Sequence, residues 1–409
     1  METSLEPAVE RAPAAPAAPA APAAPWERWL EDRARVRATR GLHRVESSRE
    51  LLMDLASNDY LGLSGHPEVR AAAADAVHRH GAGAAASRVA TGTLPVHNEL
   101  EEALCRYTHR SQALVYSSGY TANLGLLQAL GGPGSLFILD AHAHASLIDG
   151  ARLSGARVTT AAHNDLAEVQ RLLEVNRDCA NPVPRVAVVL ESVYSVLGDA
   201  APLVAAAELC ARHRALLVID EAHSLAATHQ GSAVRAAGLA DCSHVLATAT
   251  LSKALGAQGG AVLLGGGQAG ALREHLVNTS RTFLYDTALA PAAAGAAIAA
   301  LGLADAARLD RLGRNARLVH DTLAADPRLA HRIEKGAGAV HSVMMRDAAS
   351  AVRAAASLRA RGIAVACFRP PSVPDGVSRL RITAHADHDP DALLTALHTI
   401  ARIILEEES

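Results

Sequence analysis

The chain has 409 residues, 50% of them hydrophobic, which suits one large core-bearing domain plus a smaller one rather than a string of small modules. A net charge of −3 leaves no electrostatic footprint for nucleic acid, and no basic amphipathic stretch marks a membrane surface. The five cysteines are scattered without a CxxC pair, and no apolar run is long enough to cross a bilayer, so a disulfide framework, a cysteine zinc site and membrane insertion are not expected.

Taken in chain order, the N-terminus METSLEPAVE lacks a basic start, which argues against a secretory leader. Residues 12–25 read APAAPAAPAAPAAP; proline at every third position removes backbone donors and favours polyproline II, so 1–25 is expected as a disordered extension. A helix through 26–38 opens an N-terminal helical segment over 26–56. From 57 to 290, short apolar runs at 113–116, 136–139, 186–190, 215–220, 244–248 and 261–264 alternate with helix-length segments. Runs buried on both faces predict an α/β domain, a mainly parallel sheet with helices on both faces, and place its ligand at the strands' carboxyl ends. A long alanine-rich helical stretch over 291–324 leads into a smaller C-terminal α+β domain within 291–409, with strands at 340–345, 363–368 and 379–383. Asp389 and Pro390 make a helix start for its last element.

Four segments carry chemistry. SSGYTAN (117–123) sits at a strand-to-helix turn, where exposed amides favour a phosphate, although an ordinary capping turn looks the same. DAHAHASLIDG (140–150) holds His142 and His144; with 20 histidines in the chain a lone one is more often structural, and no third ligand stands nearby to make a metal site. ALLVIDEAHSL (215–225) ends a strand in Asp220, with His223 three residues on. A carboxylate there can pair with a pyridinium nitrogen, and the bland alternative is an acid that caps the next helix. TATLSKALGAQGG (248–260) places Lys253 after Thr250 and Ser252 and before Gly256, Gly259 and Gly260. Lysines are mostly exposed, but a lysine in that setting, one strand beyond Asp220, suits a covalent pyridoxal phosphate enzyme.

Together the motifs resemble the α-oxoamine synthase family of fold-type I pyridoxal phosphate enzymes, and within it the 8-amino-7-oxononanoate synthases. The resemblance runs from Trp26 to the C-terminus through LASNDYLGLSGHP, SRVATGTLPVHNELEEALC, SSGYTAN, HASLIDG, ESVYSVLGDAAPL, DEAHS, TLSKALGAQGG, DTALAP and RPPSVPDG followed by SRLRIT. The Asp286-Thr287 form looks like the actinobacterial branch. The resemblance implies that Lys253 binds the cofactor covalently and later moves the α-proton, that Asp220 pairs with the ring nitrogen, and that His144 stacks on the ring. His223 and Ser195 would bond the phenolic oxygen. Gly119, Tyr120 and Thr250 would hold the cofactor and its phosphate, with Thr287 reaching in from a second subunit of a homodimer. Arg379 and Arg369 are candidates for the amino-acid carboxylate, Arg369 and Ser372 lie in the substrate-binding RPP segment, and Asn58 and Arg40 would lie near the acyl substrate. Departures are Leu197 at a commonly acidic position, Ala226, Ala227, Ser232 and Ala233 in the loop after His223, and Ala86 at a usual glycine.

The implied reaction is condensation of an amino acid, L-alanine, with a pimeloyl thioester of coenzyme A or an acyl carrier protein, with loss of carbon dioxide, in the cytoplasm. Rivals are the same chemistry on glycine or serine with another acyl thioester, and a catalytically idle partner subunit, which would have no need of Lys253.

Overall fold

The computed structural model describes residues 24–39, 52–334, 336–370, 373 and 375–407. The chain divides into two units, Met1–Arg49 and Glu50–Ser409. In the first, Ala24–Thr39 is a helix with Glu27 in its first turn and Arg37 in its last, each of the sign that the helix dipole favours there. All but the last two residues of the expected extension 1–25 lie outside the described residues.

The second unit contains strands β1 (Met53–Leu55), β2 (Gln112–Tyr116), β3 (Ser135–Asp140), β4 (Arg157–Ala161), β5 (Arg185–Glu191), β6 (Leu216–Asp220), β7 (Val245–Thr250), β8 (Gly260–Leu264), β9 (Val340–Met344), β10 (Ile363–Phe368) and β11 (Arg379–Thr383). Seven of them form one sheet in the order β2-β8-β7-β6-β5-β3-β4. Strand β8 runs antiparallel to both its neighbours, and every other pair is parallel. Successive side chains of the central strands feed two separate cores: Val188, Leu190, Leu217 and Ile219 enter one, Ala187, Val189 and Val218 the other. A strand covered on both faces must be apolar at every position, which is why these strands read as unbroken hydrophobic runs.

Two strands escape that rule and the sequence expectation with it. Strand β4 is the sheet edge, and Arg157, Val158 and Thr160 are exposed, so its RVTTA carries no apolar run. Strand β1 corrects the expected helical segment 26–56: Met53–Leu55 is extended and pairs in parallel with β10. Three residues held by a distant strand have no local pattern to betray them. The second sheet runs β1-β10-β11-β9, with β11 antiparallel to both β10 and β9.

The expected helical stretch 291–324 is two helices, Pro291–Leu303 and Ala306–Ala324, bent by 82°. The break falls at Asp305, whose side chain caps the second helix through the Arg308 N–H. Alanine richness has a packing purpose in the first. A Cβ on Gly295 would come within 2.7 Å of the Ala72 carbonyl and the Ala76 methyl, so small residues let this helix close on Pro67–His80. Prolines open Pro67–His80, Pro95–Thr108, Pro291–Leu303 and Pro390–Glu406, where a missing N–H costs nothing; Asp389 caps the last of these. No single helix among the described residues is long and apolar enough to cross a membrane.

The sheet register positions the chemistry. Glu191 lies opposite Asp220, and Asp220 opposite Thr248. Paired residues on adjacent strands share a face, so two carboxyl groups stand side by side at the carboxyl ends of β5 and β6.

Candidate active site

Asp220 ends β6 and is buried. Its Oδ1 accepts the Ala222 N–H at 2.8 Å, and its Oδ2 accepts Asn123 Nδ2 at 2.8 Å. The same amide nitrogen donates to Ser146 Oγ at 2.8 Å, and that hydroxyl lies 2.7 Å from His144 Nδ1. A line of polar contacts therefore runs from Asp220 to the imidazole at the N-cap of Ala145–Leu153. No cation pairs with the Asp220 carboxylate among the described residues, an expensive condition for a buried charge unless a ligand supplies the partner.

Lys253 follows β7 in the loop before β8. Its Nζ lies 2.8 Å from His223 Nε2, His223 Nδ1 lies 2.7 Å from the Tyr60 hydroxyl, and that hydroxyl lies 3.0 Å from Asn58 Oδ1. Arg381 Nη2 donates to the same Asn58 oxygen at 3.0 Å. Proton counting orients the string. The one phenolic hydrogen goes to Asn58, so His223 Nδ1–H donates to Tyr60 and His223 Nε2 is left to accept from Lys253. Burial, with Lys253 and Arg381 nearby, drives the His223 pKa well below its ordinary value, which keeps the ring neutral and the string intact. Burial also lowers Lys253, against the opposing pull of Asp220 and Glu191, to about 8. An amine so lowered is neutral far more often than a surface lysine.

Glu191, quoted in ESVYS but given no role from sequence, is fully buried beside Asp220. Burial and that neighbouring carboxylate push its pKa up, although the His144 and Ser195 amides donate to it. Two adjacent carboxyls do not both ionise easily, so Glu191 holds its proton more firmly than an exposed carboxyl would.

The structure separates the two arginines of RLRIT. Both belong to one face of β11, but Arg379 is held by Asp375 at 2.9 and 2.5 Å and by Glu334 at 3.3 Å. Its charge is spent. Arg381 has no carboxylate partner among the described residues: Nη1 donates to the Ser195 carbonyl at 3.0 Å, the guanidinium lies 4.8 Å over the Phe368 ring, and its buried Nε has no partner. Arg379, one of the two expected candidates for the amino-acid carboxylate, is thus held by acids of its own chain, whereas the place of Arg381 in the Asn58 string joins it to Lys253.

The turn 117–119 opens the helix Gly119–Leu130. Ser118 caps it through the Thr121 N–H, which leaves the Gly119 and Tyr120 amides, in the first turn, free of intrahelical partners. A Cβ at Gly119 would lie 2.9 Å from Thr250 Cβ, and one at Gly260 would lie 2.5 Å from the Gly119 nitrogen. Only glycines allow this turn to rest against Thr250, whose Oγ1 is 2.8 Å from Ser252 Oγ. The Tyr120 hydroxyl turns aside to Asp149 at 2.7 Å. Thr287 is exposed, while Asp286 beside it takes a hydrogen bond from Ser117 of its own chain. Arg369 follows Phe368 at the end of β10 and is half-buried. Arg40 and Ser372 lie outside the described residues.

Sequence reading thus missed Tyr60, Asn123, Ser146, Glu191 and Arg381. Each stands inside a motif already singled out. Period-two alternation was available to put Arg381 on the same face as Arg379, but ion pairing could not be read from spacing.

Beyond the Lys253 string, His163 sits between Asp140 at 2.8 Å and Asp199 at 2.9 Å, with His142 stacked on it at 4.0 Å. Burial opposes the charged ring, but the two carboxylates outweigh it and raise His163 from 6.5 to about 9. Stabilisation by the cation is therefore full below pH 6.5 and is lost as pH rises through about 9. His163→Gln should cost more stability at about pH 6 than at about pH 10, by on the order of 2 kcal/mol. Denaturant melts at the two pH values check this, and equal losses would refute the assigned charge.

The assembled site offers a buried carboxylate without a cation, an amine of lowered basicity, an imidazole line and an amide-rich turn at one end of the sheet. Such a donor set suits a flat, nitrogen-containing, phosphate-bearing cofactor. Comparison with known proteins agrees. The aminotransferase class I and II family matches residues 50–400. An 8-amino-7-oxononanoate synthase of Mycobacterium marinum is 45% identical over 92% of this chain and 94% of its own length. The synthase of the same description from Mycolicibacterium smegmatis is 45% identical over 92% and 96%. Among solved structures, a serine palmitoyltransferase of S. paucimobilis with bound PLP and myriocin superposes with a TM-score of 0.83 at 28% identity, covering 95% of this chain and 100% of that one.

Proposed function

This chain belongs to the aminotransferase class I and II family, and we propose that it joins L-alanine to a pimeloyl thioester, releasing carbon dioxide and the free thiol and leaving 8-amino-7-oxononanoate, in biotin biosynthesis. The observation that carries this reading is the convergence of Lys253, Asp220 and Arg381 in a chain 45% identical to two synthases of that description.

The cofactor is pyridoxal phosphate, and the residues present fit it. Lys253 Nζ would hold it covalently, the orphaned Asp220 carboxylate would face the ring nitrogen, and His144 the ring. His223 and Ser195 would stand near its phenolic oxygen, and the Gly119 and Tyr120 amides with Thr250 would cradle the phosphate. When bound, it supplies an electron sink for the pair left on the α-carbon as a proton or carboxylate departs.

The chain's own groups supply the rest. Arg381 binds the amino-acid carboxylate with a guanidinium that no internal acid has neutralised. Lys253, its basicity lowered by burial, takes the α-proton, and the string through His223 and Tyr60 fixes where its nitrogen points. The α-carbon then bonds to the thioester carbonyl and the thiolate leaves; carbon dioxide follows, and the ammonium of Lys253 returns a proton to that carbon. Low-dielectric walls around Asp220 and Arg381 strengthen both contacts.

Arg381→Lys should raise KM for alanine roughly 10–100-fold, since a point charge cannot replace a planar two-donor fork. Arg379→Lys should shift Tm and leave KM near wild type. Steady-state kinetics on both variants decide the assignment, and the reverse pattern would return the role to Arg379.

The substrates are small molecules. The homodimer, with Thr287 reaching the neighbouring chain's phosphate site, is part of the proposal and rests on the exposure of Thr287 and the family pattern. So is a cytoplasmic location, supported by five cysteines that are all unpaired. Mass spectrometry of products from a panel of amino acids, offered with thioesters of coenzyme A and of acyl carrier protein, tests the function. Expected is 8-amino-7-oxononanoate from alanine and pimeloyl thioester. Product only from glycine or serine with another acyl group would sink that specificity, and a purified protein without visible cofactor absorbance would point to an idle subunit.

A further inference from the structure

No metal is expected from the sequence, yet folding gathers three ligand-type side chains on the turn between β11 and the helix Pro390–Glu406. One donor atom each from His385, Asp387 and His388 lie within 4.8 Å of one another, and the two imidazoles stack at 4.7 Å. We propose that this His-Asp-His turn binds a divalent transition-metal ion of the zinc type.

The turn is already rigid. Buried Asn315 donates from one amide nitrogen to the His385 carbonyl at 2.7 Å and to the His388 carbonyl at 3.0 Å, and the Ala386 N–H bonds the Tyr60 carbonyl at 2.8 Å. Binding an ion therefore asks only for side-chain rotation. Zinc-donor bonds of about 2.1 Å in a tetrahedron put donors about 3.4 Å apart, so the three atoms close by little more than an ångström.

Unspent donor capacity points the same way. His388 Nδ1 is buried with no partner. Buried polar atoms left unmatched are costly, and an unfilled ligand position is one reason to keep them. Asp387 lies against Gly62, where a Cβ would come within 2.3 Å of Oδ2, so the bare glycine lets the carboxylate lie back over the turn. Two imidazoles and one carboxylate suit zinc, cobalt or nickel better than magnesium or calcium. The stacked pair His142 and His163 makes no rival site, because both nitrogens of His163 are engaged by Asp140 and Asp199.

The ion would sit behind the active site rather than in it. His385 meets the Tyr60 ring edge-on at 6.5 Å, and Tyr60 holds His223, so occupancy would brace the string that aims Lys253.

The test uses untagged, full-length holoenzyme stripped with a chelator and titrated with Co2+. Expected are visible ligand-field bands to the red of the cofactor absorbance, saturating at one ion per chain, displaced by Zn2+, with a rise in Tm on adding Zn2+. Asp387→Asn, at an exposed position, and His388→Gln should each weaken Co2+ binding roughly tenfold or more. If His388→Gln does not fold, Asp387→Asn decides alone. Absence of bands and of any Tm shift in the wild type, or unchanged affinity in the folded variants, overturns the site.

Discussion

Lys253→Ala should lose essentially all turnover, roughly 10^4-fold or more, because the proposed function makes one side chain both covalent anchor and proton carrier. The fold should survive. Lys253 lies in a loop between β7 and β8, and its side chain hydrogen-bonds His223, so its removal relieves a buried amine that already sits at about 8. Two measurements separate anchor from bystander. Borohydride treatment of the wild type should fix the cofactor to the chain, with mass spectrometry locating the adduct at Lys253, and the variant should take up none. Addition of a small primary amine should restore part of the α-proton exchange, since what the variant lacks is an amine in the right place. A variant that retains a reducible covalent link would transfer the role to another lysine.

Much of this site was legible before folding, for a physical reason. Strands buried on both faces must be apolar throughout, so the polar residue that ends such a run stands out, and Asp220 at the end of ALLVID is that residue. Lys253 stands out similarly, as a cation within a glycine-bracketed turn. What stayed hidden depends on partners brought from far along the chain. Tyr60 reaches His223 across 163 positions, and Arg381 reaches Asn58 across 323. Neither pairing leaves a periodic trace. The difference between Arg379 and Arg381 has the same origin: both occupy one face of β11, and only the tertiary placement of Asp375 and Glu334 reveals which guanidinium is ion-paired. Edge elements were hidden for the opposite reason, since β4 needs no second apolar face and β1 is too short to show a period.

Asp220→Asn tests the other half of the chemistry. The carboxylate is buried, accepts two hydrogen bonds and forms no ion pair among the described residues, so on the proposed reading its charge is available to a ring nitrogen that carries a proton. The amide keeps the shape and loses the charge. It also has one acceptor oxygen where the carboxylate has two, and the N–H of Ala222 and the amide of Asn123 cannot both be satisfied, which should cost about 1–3 kcal/mol of stability. Circular dichroism and a thermal melt establish how much folded protein remains. On that folded fraction, exchange of the α-proton of L-alanine into deuterated water, followed by NMR without any thioester, isolates the first proton step. It should fall roughly 10^3-fold, the scale of losing a preorganised charge in a dry site, while cofactor uptake persists. Asp220→Glu keeps the charge and should recover part of the exchange. Exchange at the wild-type rate in Asp220→Asn would mean that the ring nitrogen is held elsewhere, and Glu191, one strand away in register and raised in pKa by burial and by Asp220, is the group that would then ionise to take its place.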